Sequence, residues 1–128
     1  MEPMNQEIPQ MSTKGIAEKF VQLCREWKNT EFKTMFYAEE ITRIEAQGKK
    51  ITGLQAVLQC GLNWRDKVQH VNSVQISDPI IAEDYFAVSM RMDVSYKDGT
   101  RSILDEICVY GVKDGKIISE QFFFNNKF

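Results

Sequence analysis

Histidine is nearly missing from this 128-residue chain, with His70 its one representative. A zinc site of histidine and cysteine would need widely scattered ligands, so neither a structural metal nor any other cofactor is expected. Cysteine is sparse as well. Cys24, Cys60 and Cys108 are odd in number and include no C-x-x-C pair. That argues against a disulfide framework and fits free thiols in a reducing, cytoplasmic setting. No apolar run approaches the roughly 20 residues of a membrane span. Basic residues are dispersed and the formal net charge is −2, which leaves no electrostatic footprint for nucleic acid and no polybasic membrane patch. The opening MEPMNQEIPQMS lacks a charged start followed by an apolar stretch. It reads as a flexible tail over residues 1–12, not as a secretory signal.

What is present is a core. Hydrophobic residues make up 43% of the chain, enough for one domain over residues 13–128. Ser12 or Thr13 is a good cap for a first helix, whose stripe is Ile16, Ala17, Phe20, Val21, Leu23, Cys24 and Trp27. Thr30 can cap a short second helix over 31–37, followed by a strand over 40–45. Thr52 or Gly53 starts a third helix, in which Leu54, Val57, Leu58, Gly61 and Leu62 mark a face that lies on a core. From about Gln69 the period turns strand-like, with a bend at Asp78-Pro79. Helices first and antiparallel strands after make an α+β chain, with the helices on one face of a sheet.

The last third reads as three strands broken by Lys97-Asp98-Gly99-Thr100 and Lys113-Asp114-Gly115-Lys116. Asp-Gly between β-rich runs favours two-residue hairpin loops. A two-residue loop at Asp98-Gly99 places Met92 opposite Asp105, Met90 opposite Ile107 and Arg91 opposite Glu106. The same treatment of Asp114-Gly115 places Asp105 opposite Phe124, Ile107 opposite Phe122 and Val109 opposite Glu120. Cross-strand partners share a face. The expected interior therefore carries Met90, Met92, Ile107, Phe122 and Phe124 together with two acids, Asp105 and Glu120. The other face, with Tyr85, Cys108, Tyr110, Val112, Ile117 and Phe123, is apolar enough for a second copy of the chain to cover it as a homodimer.

Three segments in this order carry a resemblance: Phe36-Tyr37-Ala38-Glu39-Glu40, Ile51-Thr52-Gly53-Leu54-Gln55-Ala56-Val57 and Asp114-Gly115-Lys116-Ile117. Over about residues 13–125 the layout resembles the NTF2-like superfamily, which includes ketosteroid isomerases and SnoaL-like polyketide cyclases. The resemblance implies a cone of three N-terminal helices packed on a curved, mostly antiparallel sheet, with a pocket between helices and sheet. By position, the isomerases' general base is similar to Glu45, and their protonated aspartate is similar to Asp105. Their oxyanion tyrosine falls near Phe20, which has no hydroxyl, and this counts against steroid isomerisation. Glu120 departs from the isomerases, which are apolar there.

The candidate catalytic residues are thus Glu45, Asp105 and Glu120. An acid on an apolar face is costly when charged, so burial raises its pKa and suits it to hydrogen bonding or proton transfer. The plainer readings are a strand-end surface carboxylate for Glu45 and a carboxyl bonded to a buried amide or water for Asp105. Glu120 either shares a proton with Asp105 or is neutralised by Arg43 or His70. His70 itself is a candidate base, or a plain surface residue. Candidate ligand-binding residues are Phe20, Trp27, Tyr37, Leu58, Met90, Met92, Phe122 and Phe124, each of which also suits an ordinary core. The expected function is binding of a small hydrophobic or aromatic molecule, and any chemistry is cofactor-independent and isomerase- or cyclase-like. The alternative is a non-catalytic, dimeric interaction domain that uses the outer sheet face.

Overall fold

Ser12 begins the first helix as a side-chain cap. Its Oγ accepts a hydrogen bond from the Gly15 N–H at 3.0 Å and fills one of the open donors of a helix start. The computed structural model describes residues 11–124, so most of the expected N-terminal tail lies outside the described residues. Helix α1, Thr13–Arg25, buries Ile16, Ala17, Phe20, Val21, Leu23 and Cys24, the stripe its spacing predicts. Trp27 does not join them. It lies just past the helix at φ 63°, while the Lys28 N–H reaches the Leu23 carbonyl at 2.7 Å and its own N–H reaches the Cys24 carbonyl at 3.1 Å. This is the bonding of a Schellman close, with tryptophan where glycine is usual. The indole is turned out and 60% exposed.

Helix α2, Asn29–Phe36, starts earlier than expected and has no side-chain cap. The Thr30 hydroxyl is engaged instead by Arg65, whose Nη2 donates to it at 2.8 Å. Strand β1, Tyr37–Ile44, also starts early, because Tyr37 is already paired to the last strand. The short β2, Lys50–Thr52, folds back on β1. Helix α3, Leu54–Lys67, then packs chiefly on β1 and β2, with Val57 its one fully buried residue.

Strand β3, Val68–Ile76, bends through Asp78-Pro79 into the two-residue β4, Ile80–Ile81. Long strands follow: β5, Tyr85–Tyr96; β6, Arg101–Lys113; and β7, Lys116–Phe123. The seven-stranded sheet has the order β2-β1-β7-β6-β5-β3, with β4 also paired to β5. All pairings are antiparallel except β1 with β7, which is parallel. The three helices close one face of this curved sheet, and the α+β cone is as expected.

The register differs from the expected one in an instructive way. Tyr96 and Thr100, not Lys97 and Thr100, bracket the first tight turn, through Tyr96 N–H to the Thr100 carbonyl at 2.8 Å and Gly99 N–H to the Tyr96 carbonyl at 3.0 Å. Gly99 takes φ 92°, and the Asp98 carboxylate accepts from the Thr100 N–H at 2.9 Å and from its hydroxyl at 2.7 Å. This is a three-residue loop with glycine at its left-handed position. One extra residue slides β6 by one, and its faces exchange. Met90 pairs with Glu106, Arg91 with Asp105 and Met92 with Leu104. The second turn is the expected two-residue one, with Asp114 at φ 52° and Gly115 at φ 75°. A bulge between Gly111 and Val112 then shifts the β6–β7 register, so that Tyr110 pairs with Glu120 and Cys108 with Phe122. Beyond the bulge the two shifts cancel for β7, and Glu120 and Phe122 face inward as expected; before it Ile117, expected outside, is fully buried opposite Val112. They do not cancel for β6. Cys108, Tyr110 and Val112 enter the core, while Ile103 and Ile107 go outside.

The packed end of the cone is aromatic. Phe20 meets Phe32, Tyr110 and Phe86 with ring centroids 5.0, 4.7 and 5.7 Å apart, and Phe86 stacks on Tyr110 at 5.0 Å. These contacts add to the area term of burial. Farther along the same inner face, Met90, Met92 and Leu104 are only half-buried, as is Leu58 of α3, which packs against the core. The concave surface is filled at one end and more open at the other.

Candidate functional site

An ionic cluster sits where β1 meets β7. Arg43 and Glu120 are register partners in the parallel pair. Glu120 is 1% exposed, and both of its oxygens are taken. The Tyr37 hydroxyl donates to Oε1, and Arg43 Nη1 donates to Oε2 at 3.1 Å. A buried carboxylate held this way is paid for by its partners; an uncompensated one would be costly. The Arg43 guanidinium stacks on the Phe122 ring, 4.4 Å from its centroid. Arg43 Nε lies 3.5 Å from a Glu45 oxygen, yet it is buried without a hydrogen-bond acceptor. Burial pushes the Tyr37 hydroxyl well above the ordinary phenol range, and the Glu120 charge and hydrogen bond push it further. Tyr37 is therefore a fixed donor.

Two further ionisable groups reach this cluster. Glu106, half-buried on the inner face of β6, makes no hydrogen bond or ion pair among the described residues. Burial raises its pKa above the usual glutamate value, Arg43 lowers it and the Glu120 charge raises it. Lys33 reaches in from α2, with Nζ 6.0 Å from the centre of the Tyr37 ring. Burial lowers its pKa, Glu120 opposes that, and Arg43 and Arg65 add to it. The thiols take no comparable place. Burial pushes Cys24 up to about 12, with a small opposing pull from Lys33, and burial pushes Cys108 up further. Both stay protonated and unreactive at neutral pH. Among the described residues no group of three histidine, cysteine, aspartate or glutamate side chains could hold a metal ion.

Of the expected catalytic residues, Glu45 and Glu120 come together on Arg43. Asp105 does not join them. It lies on the outer sheet face, its side chain 65% exposed, in an ion pair with Arg91 at 3.2 Å. The three-residue turn exchanged Asp105 for Glu106 on the inner face. An exposed pair of this kind contributes little.

Of the expected ligand-binding residues, Tyr37 belongs to the cluster, and Leu58, Met90 and Phe122 pack at the edge of the core. Met92 is half-buried opposite Leu104. Phe20 is 4% exposed and sealed among aromatic rings, so it is core and not a contact surface. Trp27 is outside. With Arg65 and the exposed His70 it lines an open depression along β3, and β5 and β6 lie between that strand and the β7 of Glu120. Phe124 lies just beyond β7 and is 38% exposed. The alternation within β6 points to Glu106 once the turn is read as three residues. Lys33 has no such signal, since it reads as one more charge on a short helix.

A family model described as a SnoaL-like domain matches residues 11–124. The chain is also similar to a protein from Mesorhizobium loti described as a SnoaL-like polyketide cyclase, at 29% identity and a TM-score of 0.83, over 89% of this chain and 100% of that one. A ketosteroid isomerase-like protein from Catenulispora acidiphila, in complex with trimethylamine, shares 16% identity and a TM-score of 0.69 over 89% of this chain and 88% of its own. TerC co-crystallised with polyporic acid shares 14% identity and a TM-score of 0.70 over 89% and 92%. The last two likenesses concern the fold alone. Among proteins of curated function none matches this sequence.

Proposed function

Since the chain belongs to the SnoaL-like domain family, within the NTF2-like superfamily, we propose that its concave sheet face binds a small hydrophobic or aromatic molecule and carries out acid–base chemistry on it. The observation that carries this reading is Glu106: an acid with no protein partner among the described residues, set among half-buried apolar side chains beside a fully bonded Glu120. Burial raises the Glu106 pKa, which favours a carboxyl that can hold and give up a proton. Glu106 is the proton carrier. Glu45, held beside Arg43, is the second carboxylate and can act as base. Glu120 is not free to move a proton; with Tyr37 it fixes the position of Arg43. Met90, Met92 and Leu58 supply the apolar wall, and no step calls for a cofactor. The reaction class is enolisation or ring closure of a carbonyl compound. Two relatives of this fold hold small organic molecules, trimethylamine and polyporic acid, which supports a small-molecule site here.

The test is a titration of planar aromatic carbonyl compounds followed by the methyl resonances of Met90 and Met92. Shifts confined to these methyls and Leu58, with binding that follows the titration of Glu106, are expected. Shifts only at Ile103 and Ile107 would move the function to the outer face. That second reading rests on exposed apolar side chains there: Ile103 is 47% exposed, and the cross-strand partners Ile107 and Phe123 are 46% and 48% exposed. A homodimer formed through this face is compatible with a working concave site.

A further inference from the structure

Unspent donors beside the proposed concave site point to what the ligand carries. Lys33 holds Nζ 6.0 Å from the centre of the Tyr37 ring and beside α3, where an added Cβ on Gly61 would stand 3.3 Å from it. The bare backbone at Gly61 makes that room. Among the described residues the half-buried Lys33 has no hydrogen-bond or ion-pair acceptor, and its ammonium keeps some contact with solvent. Arg43 spends only Nη1 on an acceptor, and its Nε is buried with none. Polar groups withdrawn from water are ordinarily satisfied, and a cation more than most. Two neighbouring cations with donors to spare therefore call for an anionic acceptor.

We propose that the ligand of the concave face carries a carboxylate, received by the Lys33 ammonium and the free guanidinium edge of Arg43. This rests on the concave face being the binding site. The Phe122 ring beneath Arg43 and the half-buried Met90 and Leu58 then face the ligand's apolar body. A dianion such as a phosphate fits less well, because Glu45 and Glu106 stand at the margin of the same site. The groups acting on Lys33 are Cys24 from α1, Arg43 from β1, Arg65 from α3 and Glu120 from β7, with the neutral Tyr37 beneath it. Burial and the two guanidinium groups weigh against its charge, and an incoming carboxylate weighs for it.

The test compares 2-naphthoate with 2-naphthamide, by calorimetry on the full chain. The carboxylate is expected to bind roughly ten- to a hundredfold tighter at pH 7. Lys33→Met should remove the preference and leave the amide's affinity within about twofold. Lys33→Gln, which keeps a polar end, repeats the comparison should the methionine variant fold poorly. Equal binding of the two probes, with shifts at the Met90 methyl, would overturn the carboxylate site and leave the acid–base reading standing. A preference that survives both Lys33 variants overturns the role of Lys33. Binding of neither probe overturns both readings.

Discussion

Glu106 and Glu120 share the concave face, and their surroundings give them opposite duties. Glu120 is closed in by Tyr37 and Arg43, so Glu120→Ala should cost about 3 kcal/mol, because it strands a buried guanidinium and a buried hydroxyl. Tyr37→Phe should cost about 1–2 kcal/mol, and the double variant less than the sum. Urea denaturation midpoints check all three. Glu106 behaves differently because its folded pKa lies above its unfolded value. The folded state then holds the proton more tightly, and stability falls as pH rises from about 4.3 towards the folded pKa. Glu106→Gln removes that decline. Its melting temperature should therefore gain on the parent between pH 4 and pH 8, and a constant difference would show that burial does not disfavour the charge. That an acid faces inward at position 120 is legible from the strand alternation. That the other inward acid is Glu106 is not, because adjacent carboxylates at 105 and 106 leave the choice to a turn several residues away.

Two local devices set which acids face inward, the turn for β6 and the bulge for β7. In the first tight turn Gly99 holds φ 92°, so Gly99→Ala should cost about 1 kcal/mol. Gly99→Asn should cost less, since asparagine tolerates left-handed backbone. Thermal melts of the two variants rank them. The second device is the bulge at Gly111. A Cβ there would collide with the Ser119 hydroxyl and crowd Tyr85 at 3.3 Å, so Gly111→Ala should cost about 1–3 kcal/mol. Backbone amide shifts should show the damage centred on the bulge and Glu120, and shifts confined to Tyr85 would count against this account. Helix α1 was legible because its apolar stripe, its cap and its length agree. The start of α2 was not, because Thr30, a good cap by type, is spent on Arg65. An Asp-Gly pair signals a hairpin but does not choose between a two- and a three-residue loop. The Asp98 carboxylate settles it by binding Thr100, and the same dipeptide at 114–115 closes the shorter way.

Across the whole molecule the sheet has two faces, a concave one under the helices and a convex one. On the convex one, Ile107 and Phe123 stand side by side and half exposed. We expect a two-fold dimer there, and Ile107→Lys should give a monomer by sedimentation with an unchanged circular dichroism spectrum. A monomeric parent chain would set this aside. The α+β cone was legible from the order of elements and the three family-like segments, while the composition of the convex face was not, since it inherits the slip in β6. The topology carries a last consequence. Strand β7 is the latest in the chain, yet it lies between β1 and β6. The Arg43–Glu120 contact spans 77 residues of sequence, and no shorter folded piece can contain it. While the chain is being made, β1 has only β2 beside it, and its other edge stays open to unwanted pairing. The late arrival of residues 116–123 seals that edge and joins the charges in one event. A nascent chain thus completes its buried ionic cluster at the moment it stops being a hazard to its neighbours.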